Sequence, residues 1–550
     1  MLKSKAAISD EHLDKLILLA TGGLLGWRLC CEKSLQAFGP LGSNKLGNLL
    51  ISSMILAITS FYFMKQVLLK KQIILPKACG ALIVFGTICS ISVFYSVDIP
   101  GSLQAVVFLW SFILLVVMSV NLFRSLENIK IILFFLMLIA AVASLEALYE
   151  YFFQLPWYLS HTTPQMLVGH RDLVQLLQTH RTPTLFFWPN SLSGFLIMIF
   201  PMTIVFALMA QSAFSKMRWT VLGAIIIAAL YIELTISCWL GLLLAASLLL
   251  FSVRKRFSKK NLHVWLKIGL LPLAILSMVV MVRKIGFSHD NSFFSRMVLT
   301  KTAMALIMKH PFIGSGWNSF AIASAVYTNG IDQWSSYAHN SYLQIFGETG
   351  LVGISSFVLF LFFLGRAIWT LKDQEHSFQG VILAILAGVM ACLFDNCFSY
   401  TMLLPNTAIY WWMMVAIVLS LYEYFRPSPK DMMKSMRPRI ILISVNLLFF
   451  IFSCRLIEAE YDYFTALPFI HQSVNQESAI VLFKKGGQLN PWDKKFELAE
   501  AVAYEELFYR TKDRIYLKTA RDLVSQTMMQ PSLGEERRAL INRLNQQGAA

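Results

Sequence analysis

The sequence predicts an all-α fold: a polytopic membrane protein of about 12–13 transmembrane helices with a long extracytoplasmic loop and a helical, soluble C-terminal tail. Composition points there first, with 57% hydrophobic and 14% charged residues over 550 positions, well outside soluble usage. Length decides it, because Ile73–Phe94, Leu103–Phe123, Ile129–Phe153 and Val221–Phe251 are apolar runs long enough to match the hydrocarbon thickness of a bilayer. In lipid only helices and closed barrels satisfy the backbone, and long runs without alternation select helices. Charge placement agrees. The net charge of +16 gathers between apolar runs, at Lys65, Lys70 and Lys71, at Arg254–Lys260, and at Arg426–Arg439. That is the pattern of cytoplasmic loops rather than of a nucleic-acid surface, so no nucleic-acid partner is expected.

In order, the expected spans are Leu13–Cys31, Leu46–Lys65, Leu75–Tyr95, Leu103–Phe123, Ile129–Phe153, Ser191–Met209 and Trp219–Leu234. Ser237–Val253, Val264–Val282, Leu351–Leu371, Gly380–Tyr400, Asn406–Phe425 and Ile440–Arg455 follow. The first run contains Gly22, Gly23 and Arg28 and lacks a clear small-residue cleavage site, so it reads as a membrane helix rather than a removed leader. With the N-terminus inside, every basic cluster falls on the cytoplasmic side. Gln154–Pro189, Arg283–Gly350 and the tail from about Leu456 then lie outside. The chain divides into residues 1–455, a transmembrane domain, and 456–550, the tail.

The tail changes character. Ala479, Leu482 and Phe483 precede Asn490-Pro491, and Leu517, Ala520, Leu523 and Val524 precede Pro531. Helix, proline turn and helix at this scale fit either tetratricopeptide-like units or a generic helical tail packed on the membrane domain. A tail of this kind offers a surface to a protein partner. The cysteines have no CxxC spacing and several sit inside apolar runs, where cysteine is a small hydrophobe. His161, His170 and His180 of the first outer loop have no ligand spacing, so no metal and no cofactor is expected.

The chemistry concentrates in the second outer loop. It contains Arg296, then Pro311-Phe312-Ile313-Gly314-Ser315-Gly316, then His339-Asn340-Ser341-Tyr342-Leu343 followed by Glu348-Thr349-Gly350-Leu351-Val352-Gly353. In order and spacing these residues resemble the O-antigen ligase and O-antigen polymerase superfamily, bacterial surface-polysaccharide membrane glycosyltransferases. Phe187-Trp188-Pro189-Asn190-Ser191-Leu192 and Asp395-Asn396 echo the same family. The resemblance implies glycan transfer from an undecaprenyl-diphosphate carrier to lipid A core, a growing polysaccharide or a protein. It implies no metal and no nucleotide sugar, a bacterial inner-membrane location, and an active face and tail that are periplasmic. His339 and Arg296 would be catalytic, with Arg181, Asn190, Glu348 and Asp395 binding substrate. A flippase for the same lipid-linked glycan, or an inactive scaffold for envelope assembly, is the alternative.

The residue types suit that chemistry independently. Arginine contacts phosphate bidentately and stays charged near apolar surroundings, so Arg296 fits a diphosphate clamp. A histidine accepts a hydroxyl proton near neutral pH, so His339 fits a base or an acceptor-orienting group. Glu348 reads as a loop-shaping carboxylate and Asn190 as a residue ordering a helix entrance. Asp395 stands near the outer end of a span, where an unpaired carboxylate is unfavourable. Gly350 and Gly353 read as close-packing positions at the start of the next span. One departure stands out. The family carries a further arginine after a serine in a middle span, whereas Thr235-Ile236-Ser237-Cys238-Trp239-Leu240-Gly241 has none. Arg181 or Arg283 is the expected substitute.

Overall fold

The computed structural model describes residues 2–37, 44–161, 181, 185–186, 188–253, 271–287, 292–327, 335–374, 376–427, 432–433, 435–470, 476–527, 530 and 533–548. His170 and His180 of the first outer loop lie outside these residues, as does the side chain of Arg283.

Helices carry the chain almost throughout. The first group is α1 (Leu2–Ala37), α2 (Asn44–Leu68), α3 (Lys77–Ser92), α4 (Ile99–Leu122) and α5 (Leu126–Tyr149), the last continuing through a π turn at Glu150–Gln154 to His161. Then come α6 (Pro189–Met209), α7 (Ala213–Ile232), α8 (Ile236–Val253), α9 (Leu271–Phe287), α10 (Ser292–Lys309) and the short α11 (Phe320–Ser324). The bundle closes with α12 (Ser341–Leu371), α13 (Gln379–Asp395), α14 (Pro405–Phe425) and α15 (Met436–Ala466). The tail is α16 (Gln476–Leu489), α17 (Lys495–Thr511), α18 (Arg514–Gln526) and α19 (Gly534–Gly548). Among the described residues, 9 helices are long and apolar enough to cross a membrane, and Ile236–Leu248 and Gln379–Asp395 are shorter apolar helices. The fold is an all-α polytopic membrane protein, as expected.

The lipid-facing surface can be seen in single helices. On α5, Phe134, Leu138, Val142, Leu145, Tyr149 and Phe152 are all exposed and recur every three or four residues. A stripe of that size on a soluble protein would be a liability; in a bilayer it faces the acyl chains. Inside the bundle, α14 is buried along nearly its whole length. α2 packs along α15, α3 along α12, and α13 between α6 and α8. Small hydroxyls join these helices, as where Ser53 Oγ donates to Ser453 Oγ at 2.8 Å.

Two of the basic clusters share one end. Lys65 Nζ lies 2.6 Å from both Asp10 Oδ1 and Asp14 Oδ1, and Lys71 pairs with Asp10. Arg439 Nη1 donates to the Lys71 carbonyl at 2.9 Å, beside a short antiparallel pairing of Ile73 with Met433 and Ile74 with Met432. Running away from this end, α15 carries the tail to the opposite one. There Glu460, fully buried, meets Lys495 of α17 at 2.5 Å and accepts from Gln104 Nε2 at 3.4 Å. Arg455 secures the first hairpin by donating to the Leu489 and Gln488 carbonyls at 2.8 and 2.9 Å. The tail itself is two helical hairpins, joined where Gln530 Nε2 donates to Asp493 Oδ1 at 3.1 Å. Removing one partner of a buried pair strands the other charge, at a cost of about 3–5 kcal/mol. Lys495→Ala is therefore expected to loosen the tail from α15. Limited proteolysis would show faster cleavage after Ala466; an unchanged digestion pattern would mean that the pair contributes little.

Candidate active site

The two motifs of the second outer loop form one joint. α12 starts at Ser341, ten residues before the expected span, and is broken at Gly350, where φ is 64° and ψ is −167°. A break leaves carbonyls before it and amides after it without intrahelical partners. The Pro311–Gly316 turn supplies them. Ser315 N donates to Gly347 O at 3.1 Å and Gly316 N to Glu348 O at 2.9 Å, while Leu351 N donates to Pro311 O at 2.8 Å and Val352 N to Phe312 O at 3.2 Å. The approach leaves no room for side chains: a Cβ on Gly314 would strike the Glu348 carbonyl group, and one on Gly350 that of Phe312. Gly350 thus serves a helix break, not the helix packing expected of it. Gly353 stays inside α12, facing the Thr349 side chain.

Glu348 completes the joint. It is buried, and its carboxylate accepts from Asn318 N at 2.8 Å, Phe320 N at 3.1 Å and Gln344 Nε2 at 3.0 Å. Gln344 Oε1 in turn accepts from Ala338 N at 3.1 Å, beside His339. The carboxylate therefore shapes the loop. The joint also docks on the end of α3 and the turn that follows it, with Trp317 N donating to Ser92 Oγ at 2.9 Å and Tyr95 OH to Ile313 O at 2.9 Å.

His339 is half-buried and held with φ of 52°, a left-handed conformation uncommon outside glycine and asparagine. Its ring sits edge-on to Tyr400 at 4.7 Å between centroids, and Tyr400 stacks on Tyr337 at 4.3 Å. Just after it, Asn340 Oδ1 caps α12 by accepting from Tyr342 N at 3.1 Å and Leu343 N at 3.0 Å. Ser341 Oγ donates to Asn396 Oδ1 at 2.7 Å, and Asn396 Nδ2 donates to Thr401 Oγ1 at 2.9 Å. Thr401 Oγ1 donates to Asp395 Oδ2 at 3.1 Å, and Ser237 Oγ donates to Asp395 Oδ1 at 2.6 Å. Asp395 is thus fully buried and hydrogen-bonded, linking α13 to the first turn of α8. Arg296 lies within electrostatic reach of it, on the face of α10 that carries the buried Leu299 and Ala303.

The stretch that lacks the expected arginine has one beside it. Arg181 Nη2 donates to Asn190 Oδ1 at 2.8 Å and to Thr235 Oγ1 at 3.2 Å. Thr235 Oγ1 also donates to Asn190 Oδ1 at 3.2 Å and accepts from Ser193 Oγ at 3.1 Å. Thr235 follows Leu234, itself left-handed with φ of 50°. Thr235 is two positions before Ser237, which bonds Asp395, so Arg181, Asn190, Asp395, Arg296 and His339 belong to one end of the bundle. Among the described residues no group of three or more His, Cys, Asp or Glu side chains is placed to hold a metal.

A cavity of about 490 Å³ opens beside this network, not around it. Neither Arg181, Arg296 nor His339 lines it; Glu348, Gln344 and Tyr337 form the wall on their side. Arg28 from α1, Gln104 from α4, Trp317 and Asn406 are among its other polar lining residues. The sequence reading assigned none of these four a role. The signal for Arg28 and Gln104 was there, since each is a polar residue within an apolar run.

The structure is a bundle of apolar helices with a polar joint and two arginines at one end. Residues 221–358 match the family model described as O-antigen ligase, a stretch that includes the Thr235–Gly241 segment, Arg296 and both halves of the joint. The match bears out the resemblance to the O-antigen ligase and polymerase superfamily, and with it a glycosyltransferase type of membrane protein. Arg181, Asn190 and Asp395 lie outside the matched residues. No curated protein matches the chain.

Proposed function

We propose that the protein transfers a glycan from an undecaprenyl-diphosphate carrier to a hydroxyl on lipid A core, a growing polysaccharide or a protein, without a metal ion, at the periplasmic face of the bacterial inner membrane. The observation that supports this reading best is that Arg181 is held by Thr235, two positions before the Ser237 that bonds Asp395, while Arg296 is within electrostatic reach of the same carboxylate. Arg296 and Arg181 hold the carrier diphosphate, and Asn190 and Thr235 fix the second guanidinium in place of the arginine missing from α8. His339 takes the acceptor proton. The acceptor oxygen then bonds to the anomeric carbon as the bond from that carbon to the diphosphate breaks, and the electron pair leaves with undecaprenyl diphosphate. Asp395 and Glu348 position these groups through the bonds they accept. The helical hairpins of the tail are tetratricopeptide-like in arrangement and offer a surface for a protein partner on the same face.

The reading is tested by comparing envelope glycans and glycoproteins on gels from wild type, a deletion strain and strains carrying Arg296→Ala or Arg181→Ala. Each variant is expected to lose about 10–100-fold of its transfer, the worth of a charge-assisted hydrogen bond to phosphate. Undecorated core, short chains or unmodified protein in the deletion strain would identify the acceptor. Full activity in an Arg181→Ala, Arg283→Ala double variant would eliminate both substitutes for the missing arginine.

A further inference from the structure

The outward face of α10 carries an inference that does not depend on the transfer reading. α10 is not among the described helices long and apolar enough to cross a membrane. It bridges the ends of neighbouring helices instead. Near its start, Arg296 is within electrostatic reach of Asp395, the last residue of α13. Further along, a Cβ on Gly347 would touch the Leu306 side chain, three residues before the break in α12. The turn after α10 bonds to Leu351 and Val352, where α12 resumes, and to Tyr95, just after α3. The helix thus lies across one end of the bundle, with Leu299, Thr302, Ala303, Leu306 and Ile307 buried.

The opposite face is largely apolar too. Met297, Lys301, Met304 and Met308 are exposed, and at 3.6 residues per turn they fall within an arc of about 60°. Met308 is 78% exposed, and Phe312 and Ile313, at 67% and 51%, extend the patch. A patch of this kind marks contact with a protein or a membrane. Continuity favours the membrane. Leu351 and Val352, whose amides bond the Pro311 and Phe312 carbonyls, are exposed and begin a stripe that runs along α12 through Val358, Leu359 and Phe362. Charge agrees, because α10 carries Arg296, Lys301 and Lys309 and no Asp or Glu, which suits anionic headgroups. A protein interface would bury Lys301 in the middle of the stripe, where lysine is depleted. At a membrane surface its stem lies on the acyl chains while its ammonium reaches the phosphates. The flexible side chains of the three methionines conform to such a fluid surface. We infer that α10 and the turn at 311–313 lie in the plane of the membrane, with the methionine stripe seated in the upper acyl layer of the leaflet at this end. This part of the second outer loop is then a membrane element rather than a solvated one. On the transfer reading, that seating sets Arg296 at the height at which a carrier lipid presents its diphosphate.

The test places a fluorescent amino acid at Met304 or Met308 of the full-length protein in liposomes containing phosphatidylglycerol. Both positions are exposed, so the label displaces nothing from the core. Labels at Leu145, on the lipid-facing stripe of α5, and at Ile515, in the tail, serve as references, both positions being exposed. With lipid brominated near its headgroup end, the labels at Met304 and Met308 are expected to lose most of their emission, as the Leu145 label does. They should also be shielded from aqueous iodide, which quenches the Ile515 label. Iodide access at both positions without quenching by bromolipid would put the stripe in water. Shielding from both quenchers would put it under protein, and either result overturns the inference. The readout needs no catalysis, so a protein that fails to transfer would strike the transfer reading alone.

Discussion

Replacing His339 by asparagine is expected to slow glycan transfer by about 10²–10⁴-fold, the usual contribution of a positioned general base. Asparagine is the informative substitution because of the backbone. With φ of 52°, position 339 would add strain to most replacements, whereas asparagine adopts the left-handed region readily. An alanine variant would mix a catalytic loss with a backbone cost. His339→Asn should keep the Asn340 cap of α12 and the Ser341–Asn396 bond, so protein level and thermal stability should match wild type while transfer falls. The check pairs a melting curve with initial rates. Equal rates would leave His339 an aromatic partner of Tyr400 and nothing more.

Gly350→Ala is expected to be the most damaging single substitution in the joint. Its φ of 64° with ψ of −167° belongs to a region essentially reserved for glycine, where another residue costs about 1–3 kcal/mol. The added methyl would also meet the Phe312 carbonyl group, and overpacking of that kind adds about 1–3 kcal/mol. Relief requires withdrawing the Pro311–Gly316 turn, which would strand the amides of Leu351 and Val352 and the carbonyls of Gly347 and Glu348. Low yield, or a markedly lower melting temperature, is therefore expected. A normally stable and active Gly350→Ala protein would contradict the interlocked description. Glu348→Gln is the companion test: Asn318 N and Phe320 N donate to different oxygens of Glu348, so an amide keeps one acceptor and turns its NH2 toward the other donor, which is expected to lower the melting temperature.

Much of this was legible in the sequence because its physics is one-dimensional. Run length against bilayer thickness gave the helices: the expected Asn406–Phe425 is observed as Pro405–Phe425, and Ser191–Met209 as Pro189–Met209. The beginning of α12 was missed because Ser341, Gln344 and Glu348 interrupt its hydropathy, although Asn340 is a recognisable cap. The interlocking of two motifs was also beyond reach, since carbonyl and amide groups do that work and leave only glycines as a trace. Arg181 was named as a substitute from charge bookkeeping alone; its bond to Thr235 needed three dimensions. The cavity was least legible. Its polar wall comes from stretches far apart in the chain, from Arg28 to Asn406, and Asn406 looks from sequence like an ordinary helix start.

The central claim is transfer from a lipid diphosphate by the end of the bundle that carries His339. Its most direct test is a reconstituted reaction: purified full-length protein in liposomes, lipid-linked glycan and acceptor extracted from the deletion strain, and a chelator throughout. The account predicts glycosylated acceptor and free undecaprenyl diphosphate in equal amounts, with both lost in His339→Asn. Product without released undecaprenyl diphosphate, or equal product from His339→Asn, would contradict it.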